Sequence, residues 1–213
     1  MNILSLLIGL PVLVFSAILH EVAHGYVADK LGDPTARLMG RLTLDPRPHI
    51  DLFMSILLPL LLIFSGSPVI FGGAKPVPID PYNLRDGKKD VALVALAGPL
   101  TNIILAITAA LLLKGISFIP ITSTAFAIIA YILTIIASYN ILLAIFNLLP
   151  IPPLDGSKIF SLVLPDELAT MYLSLSQIGI FILFFLLLFP IGGFSLSLAI
   201  STLFDFAKTL LGI

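Results

Sequence analysis

Cysteine is absent from this chain of 213 residues, and charged residues are scarce. Without cysteine there are no disulfides, thiolate metal sites or cysteine nucleophiles, so any metal must be held by His, Asp or Glu. Asp, Glu, Lys and Arg make up only 11% of the residues, whereas an ordinary soluble domain has about 25%. The formal net charge of −1 offers no basic field for nucleic acid, which excludes nucleic-acid binding.

Apolar residues take the place of the missing charge. They make up 59% of the chain, and the mean hydropathy is +1.15. No stretch is polar enough to form the surface of an independent water-soluble domain. The composition therefore predicts a membrane protein with a single membrane-embedded domain, residues 1–213.

The lengths of the apolar runs predict an all-α polytopic membrane protein with about five transmembrane helices. A helix needs about 20 apolar residues to cross a hydrocarbon core about 30 Å thick. The five runs are Ile3–Leu19, which continues amphipathically to about Leu31, Val91–Leu113, Thr124–Leu149, Leu168–Phe189 and Phe194–Leu211.

A sixth apolar stretch, Leu52–Phe71, is interrupted by Pro59, Gly66 and Pro68, which break helices or let them turn. If this stretch crossed the membrane, the Lys and Arg residues would divide almost evenly between the two faces. If it enters and returns, every Lys and Arg except Lys114 lies on one face. Because positive charge collects on the cytoplasmic side, we expect a re-entrant or hairpin segment.

Two polar loops flank the sixth stretch. The first, Gly32–Ile50, contains the alternating residues Arg41–Leu44, which predict a short β-strand. The second, Gly72–Asp90, is rich in proline and lysine, which predicts turns.

The motif that most clearly indicates a catalytic site is His20-Glu21-Val22-Ala23-His24, at the end of the first apolar helix. Two His four residues apart share one helix face and can occupy adjacent corners of a Zn²⁺ tetrahedron, with the Glu beside them as general base. The alternative is a pair of helix-end histidines near the headgroups. A carboxylate within an apolar helix is expensive, however, and marks a functional site.

A catalytic zinc has three protein ligands and leaves one position open, so a third ligand is expected. The candidates are His49, Asp45 and Asp51 in the first loop, and Asp155 after the third long run. Three prolines precede Asp155 and are expected to keep its segment extended and non-helical at membrane depth, where irregular backbone is tolerated only beside a cavity or within protein. A re-entrant sixth stretch also brings Asp155 level with the two histidines, so Asp155 is favoured.

Together these residues resemble a known family, the site-2 proteases, which are M50-type intramembrane zinc metalloproteases. The similarity is to the compact prokaryotic form without PDZ or CBS domains, and it extends from about Ser16 to Lys158. The segments that carry it are the His20–His24 motif, Gly40–Leu44, Phe71–Pro78, Ala97–Asn102 and Asn147–Gly156.

The resemblance implies one zinc ion with His20, His24 and Asp155 as ligands and Glu21 as general base. It implies that Asn147 orients the substrate or stabilises the oxyanion. It also implies a catalytic core over about residues 1–165, followed by C-terminal helices over about 166–213.

The Gly72-Gly73 segment is similar to the membrane-associated β element with which an unwound substrate pairs in this family. Main-chain pairing with such an edge gives affinity with little demand on sequence. Taken alone, the segment also fits a plain turn followed by a lysine at the headgroups.

Gly98, Pro99 and Asn102 have a structural interpretation, since small residues let membrane helices approach closely and a buried amide needs a partner. We expect Gly98 and Pro99 to open the Val91–Leu113 helix, with Asn102 one turn further on, and the motif to brace the catalytic helix. Asn140 fits a simple bond to a neighbouring helix, and the same structural interpretation is the alternative for Asn147.

The sequence therefore predicts an enzyme that hydrolyses peptide bonds in or near transmembrane segments of membrane protein substrates, using water activated by zinc. It is expected in the plasma or inner membrane as a multi-pass protein in contact with lipid, with the active site nearer the cytoplasmic side. An inactive membrane scaffold of the same fold and a membrane metal transporter are the alternatives. The transporter requires further ionisable residues along the helices, and the oligomeric state stays open.

Overall fold

A computed structural model describes residues 3–52, 57, 61, 74–118 and 123–213, with side chains described from residue 7 onward. Over these residues the chain is predominantly helical, as the sequence predicts. The helices are α1 (Ile3–Leu31), α2 (Thr35–Leu38), α3 (Gly87–Ser117), α4 (Thr124–Asn147), α5 (Asp155–Phe160), α6 (Asp166–Ser174), α7 (Ser176–Leu188) and α8 (Leu196–Leu211).

Three of the described helices are long and apolar enough to cross a membrane: α1 over Leu7–Leu31, α3 and α4. Helices α6 and α7 pass the same test only as a pair bent by 68°. Helix α8 has 16 residues, a length of about 24 Å, which is shorter than a hydrocarbon core of about 30 Å. The described residues thus give three spans, or four if the bent pair is one, and the expected count of five is not confirmed.

The bend divides the run Leu168–Phe189, which the sequence predicts as one helix. Ser174 and Ser176 flank it, and each hydroxyl donates to the carbonyl three residues earlier, at 2.7 and 2.6 Å. Such bonds compete with the helical ladder and bend helices. Hydropathy alone gives no weight to this effect.

Helices α1, α3 and α4 pack against one another, α5 lies against α3, and α8 lies against α4 and α7. Small residues permit the close approach of α3 to its neighbours. Its buried alanines are Ala92, Ala95, Ala106, Ala109 and Ala110. Large apolar side chains on its other face, such as Leu111 at 63% exposure, are suited to lipid.

Asp33 ties the end of α1 to the second polar loop. Its carboxylate accepts bonds from the Thr35 amide and hydroxyl, the Asp80 amide and the Asn83 side-chain amide. Burial raises the pKa of Asp33, but these hydrogen bonds outweigh it and hold the pKa below its ordinary value. The charged form of Asp33 is therefore the one that fastens the loop beside α1.

The strand predicted at Arg41–Leu44 is wrong, because these residues form bends. The Arg41 side chain turns inward, and its Nη2 donates to the carbonyls of Lys75 and Pro76 at 2.8 and 3.2 Å. Among the described residues there is no β-strand, only an isolated bridge between Ile191 and Phe194.

Two other predictions concern segments that lie outside the described residues. One is the re-entrant path of Leu52–Phe71, of which only residues 52, 57 and 61 are described. The other is the β element at Gly72 and Gly73. Both stay predictions.

Candidate metal centre

Helix α1 carries His20 and His24 on one face, where both side chains are buried. One helical turn separates them, so their rings meet edge to face with centroids 4.6 Å apart. Their Nε2 atoms lie 3.0 Å apart.

Asp155 completes a triangle with the two histidines. It is the first residue of α5, and its Oδ2 lies 3.1 Å from the Nε2 atom of each histidine. The turn that delivers it folds back tightly after α4: a Cβ on Gly156 would overlap the carbonyl of Leu148. The path between Pro150 and Asp155 is non-helical, as expected, but the expected extended backbone is wrong, because residues 151–154 form turns and bends.

The other candidates for a third ligand lie elsewhere. His49 Nε2 contacts the carbonyl of Thr43 at 2.9 Å, and Asp45 accepts a bond from the amide of Arg47. Within the described part of the chain, one group of three or more His, Asp or Glu residues is close enough together to hold a metal. Its members are His20, His24 and Asp155.

The outward atom of each member of this triangle also has a partner. His20 Nδ1 lies 2.5 Å from Oδ1 of Asn102, and His24 Nδ1 lies 2.7 Å from the carbonyl oxygen of Val94. A carbonyl oxygen can only accept, so the proton of a neutral His24 is on Nδ1 and its Nε2 keeps a lone pair. Each ring thus turns Nε2 toward the centre of the triangle.

Asp155 brings negative charge to the triangle. Its Oδ1 accepts a bond from Lys158 Nζ at 3.2 Å, which leaves Oδ2 for the histidines. Burial raises the pKa of Asp155, but its polar contacts with His20 and His24 and the nearby charge of Lys158 outweigh it and hold the pKa well below its usual range. The group is therefore a carboxylate, the form that binds metal.

The donor set fits zinc. A tetrahedral zinc site with bonds of about 2.0–2.1 Å separates its ligand atoms by about 3.3–3.4 Å. The three atoms here lie 3.0–3.1 Å apart, so small outward movements accommodate the ion. Two nitrogens and one oxygen from the protein are also the donor number of catalytic zinc sites, which leave a fourth position open.

Glu21 lies beside the triangle with its carboxylate oriented by a loop. Its Oε2 accepts a bond of 2.8 Å from the amide of Val77. Val77 belongs to the non-helical segment Ala74–Asp80, whose carbonyls at Lys75 and Pro76 are held by Arg41. The first polar loop thus holds the segment that orients the expected general base.

The prediction that Gly98 and Pro99 open a helix is wrong, because α3 already begins at Gly87 and both residues, like Asn102, lie in its interior. The apolar run began later than the helix does, since the first turn of α3 is polar. All three are buried, and a Cβ on Gly98 would lie 2.5 Å from Nε2 of both His20 and His24. Gly98 and Asn102 therefore lie against the histidines of α1, and the bracing role expected of the three residues stays a prediction.

Asn147 is the last residue of α4, and its Nδ2 donates to the carbonyl of Leu143 at 3.0 Å. Its expected role with substrate stays a prediction, as do those of Gly72 and Gly73 outside the described residues.

Sequence reasoning missed several contacts around the triangle. The Val94 carbonyl and the Val77 amide are backbone groups, which no residue type reveals. Lys158 fits an interface anchor by its position, yet its spacing of three from Asp155 on a helix was a usable signal. The bond expected from Asn140 to a neighbouring helix was not missed, since Asn140 contacts Asn102 on α3 and Ser16 on α1.

Comparison with known proteins identifies relatives over most of the chain. The model of peptidase family M50 matches residues 8–120 and 111–190. A Bacillus subtilis (strain 168) protein, "Putative zinc metalloprotease YwhC", is 35% identical over 86% of this chain and 81% of its own length.

Further relatives come from mycobacteria. "Putative zinc metalloprotease Rip2" of Mycobacterium tuberculosis (strain ATCC 25618 / H37Rv) is 36% identical over 66% of this chain, and the chain covers 51% of that protein. The protein of the same name from Mycolicibacterium smegmatis (strain ATCC 700084 / mc(2)155) is 30% identical over 83% of this chain and 65% of its own length. No solved structure gives a significant match.

Proposed function

The chain belongs to peptidase family M50, and its relatives are named as zinc metalloproteases, so we propose that it hydrolyses peptide bonds in or near transmembrane segments of membrane protein substrates. The observation that carries the proposal is the depth of the triangle. His20 and His24 lie in the interior of the candidate span Leu7–Leu31. His24 is seven residues from the end of the span, a distance of about 10 Å along a helix.

We assign His20, His24 and Asp155 as the residues that hold zinc. Zinc bound there supplies electrophilic polarisation of a water molecule and of the scissile carbonyl. The three residues carry at most one formal negative charge between them, so the ion keeps most of its charge for this polarisation.

Glu21 is assigned as the general base. Its carboxylate takes a proton from the attacking water and passes it to the nitrogen of the leaving amine. The Val77 amide occupies Oε2, so Oε1 is the oxygen that receives the proton. The same bond fixes the carboxylate plane, which removes a rotational cost from the reaction.

The substrate must be unwound, because a peptide bond in a membrane helix is hydrogen-bonded and shielded from water. We propose that Asn147 orients the scissile bond or donates to the oxyanion, and that the segment with Gly72 and Gly73 pairs with the unwound chain. If Leu52–Phe71 enters and returns as the sequence predicts, every Lys and Arg except Lys114 lies on one face, which supports an active site nearer the cytoplasmic side of the plasma or inner membrane. Residues 1–213 then work as one membrane-embedded domain in contact with lipid.

The transporter alternative is not favoured, since α4 carries no Asp, Glu, His, Lys or Arg along which an ion path could continue. The scaffold alternative predicts loss of a ligand or of the base, whereas all four residues are present.

The test combines zinc content with cleavage of a transmembrane reporter substrate by the purified protein in detergent or proteoliposomes. We expect about one zinc per chain in wild type, as catalytic sites of this donor set hold one ion. Zinc should be lost in His20→Ala and Asp155→Ala, while Glu21→Gln should keep zinc and lose cleavage. His49→Gln is the matched control and should keep both. If Asp155→Ala retained zinc, another residue would be the third ligand. Loss of zinc in Glu21→Gln would contradict the assignment of Glu21 as the base.

A further inference from the structure

A row of buried polar side chains runs from the metal centre across three helices. His20 on α1 contacts Asn102 on α3, Asn102 contacts Asn140 on α4, and Asn140 returns to Ser16 on α1. Asn102 and Asn140 are 0% exposed and Ser16 is 4% exposed. Because no water reaches these groups, the bonds among them decide their orientation.

The donor-to-acceptor direction of the hydrogen bonds in this row is fixed at its Asn140 end. Asn140 Nδ2 lies 2.8 Å from the carbonyl oxygen of Ile136 and 2.9 Å from Ser16 Oγ. The carbonyl can only accept, so the amide end of Asn140 must face it and the Oδ1 end must face Asn102. A reversed Asn140 would place two acceptor oxygens against each other.

That direction passes on to the histidine. Asn102 Nδ2 donates to Asn140 Oδ1 at 2.7 Å, which turns Asn102 Oδ1 toward His20 Nδ1. An oxygen acceptor there requires the proton of His20 on Nδ1, and Nε2 is left with the lone pair that a metal needs.

We propose that Asn140 is a positioning residue of the metal centre: it sets the direction of the Asn102 amide and thereby holds His20 as the Nδ1–H tautomer. This rests on the zinc-binding role proposed above for His20. Asn140 touches neither a ligand atom nor the substrate site, and it acts only through Asn102. If Asn140 is lost, the Asn102 amide can turn, and its Nδ2 then faces His20 and opposes a proton on Nδ1.

Ser16 has a different role from Asn140 in this row of hydrogen bonds. The Ile136 carbonyl alone is enough to fix the direction of Asn140, so the bond to Ser16 adds a link between α1 and α4 without choosing a tautomer. Ser16→Ala is therefore a matched control, since it removes a buried contact between the same helices and leaves the direction of the row intact.

The first experiment measures zinc affinity by competition with a chromophoric chelator. Asn140→Leu should weaken zinc binding by about 10–100-fold, the usual range for losing an outer partner of a ligand. Ser16→Ala should bind zinc as wild type does. In the double variant Asn140→Leu/Asn102→Asp, either carboxylate oxygen can accept from His20 Nδ1, so affinity should recover. Equal loss in Ser16→Ala, or no recovery in the double variant, would assign Asn140 a purely structural role.

The second experiment needs no variant to fold. In zinc-loaded wild type labelled with ¹⁵N-histidine, His20 should show a hydrogen-bonded Nδ1 proton protected from exchange. If His20 carries no such proton, the proposal is overturned. The two proposals fail separately: zinc retained in His20→Ala refutes the metal centre, whereas zinc lost in His20→Ala but unchanged in Asn140→Leu refutes only the role of Asn140.

Discussion

Gly98→Ala is the smallest substitution that the structure places directly against both histidines. A Cβ at this position would lie 2.5 Å from Nε2 of His20 and of His24, and 2.6 Å from Cε1 of His20. Unbonded heavy atoms of this kind rest at about 3.5 Å. One methyl group therefore demands a retreat of about 1 Å from two ligand atoms at once, whereas a metal site tolerates deviations of about 0.2 Å.

Helix α3 cannot easily move away to make this room. Pro99 and Asn102 follow Gly98 on the same helix, and both are fully buried among neighbouring helices. We expect Gly98→Ala to weaken zinc binding by about 100-fold or more, because even the loss of an outer partner costs about 10–100-fold and here the ligands themselves are displaced.

The control lies on the same helix. A Cβ on Gly115 meets no atom within 4 Å, so Gly115→Ala should keep zinc affinity and stabilise α3 by up to about 1 kcal/mol. The assay is chelator competition, with thermal unfolding in the same detergent for both variants. A Gly98→Ala protein that binds zinc as tightly as wild type would refute the packing of the histidines against α3.

Two further predictions concern the loops. Because the folded pKa of Asp33 is below its ordinary value of 3.8, its contribution to stability is present above pH 3.8 and is lost as the pH falls through the lower folded pKa. Asp33→Asn should thus unfold more easily at neutral pH, by about 1–3 kcal/mol, and lose less stability than wild type on acidification; equal acid sensitivity in thermal unfolding would contradict this. Arg41→Met removes the nitrogen, Nη2, that donates to the carbonyls of Lys75 and Pro76, so the Val77 amide should lose its place at Glu21. Cleavage should fall by about 10–100-fold, the order expected for a misplacement of about 1 Å, at unchanged zinc content; loss of zinc in this variant would disprove the explanation.

The parts of the metal centre that can be predicted from the sequence are those that depend on short spacings along the chain. His20 and His24 are one helical turn apart, and the apolar runs around them predict α1, α3 and α4 nearly to their ends. Asp155 also follows, because prolines and an interrupted helix leave a recognisable signal.

The remaining contacts depend on tertiary packing. His24 is held by a backbone carbonyl, and Glu21 by a backbone amide, neither of which has a residue-type signature. The strand expected at Arg41–Leu44 fails because alternation of polar and apolar residues does not show that the arginine turns inward. The bend beside Ser174 depends on serine bonds to the helix backbone, which hydropathy does not count.

The two histidines differ in how many positions of the chain their orientation depends on. The Nδ1 of His24 contacts the backbone of Val94, and almost any residue at position 94 supplies the same carbonyl. The Nδ1 of His20 depends on side chains at positions 102 and 140. A mutation at any of three positions, 20, 102 or 140, can therefore disorient His20. For His24, essentially only a mutation at position 24 itself has this effect. Of the two histidines, only His20 contacts replaceable side chains through its Nδ1, so anyone who wishes to tune zinc affinity without replacing a histidine would begin with residues 102 and 140.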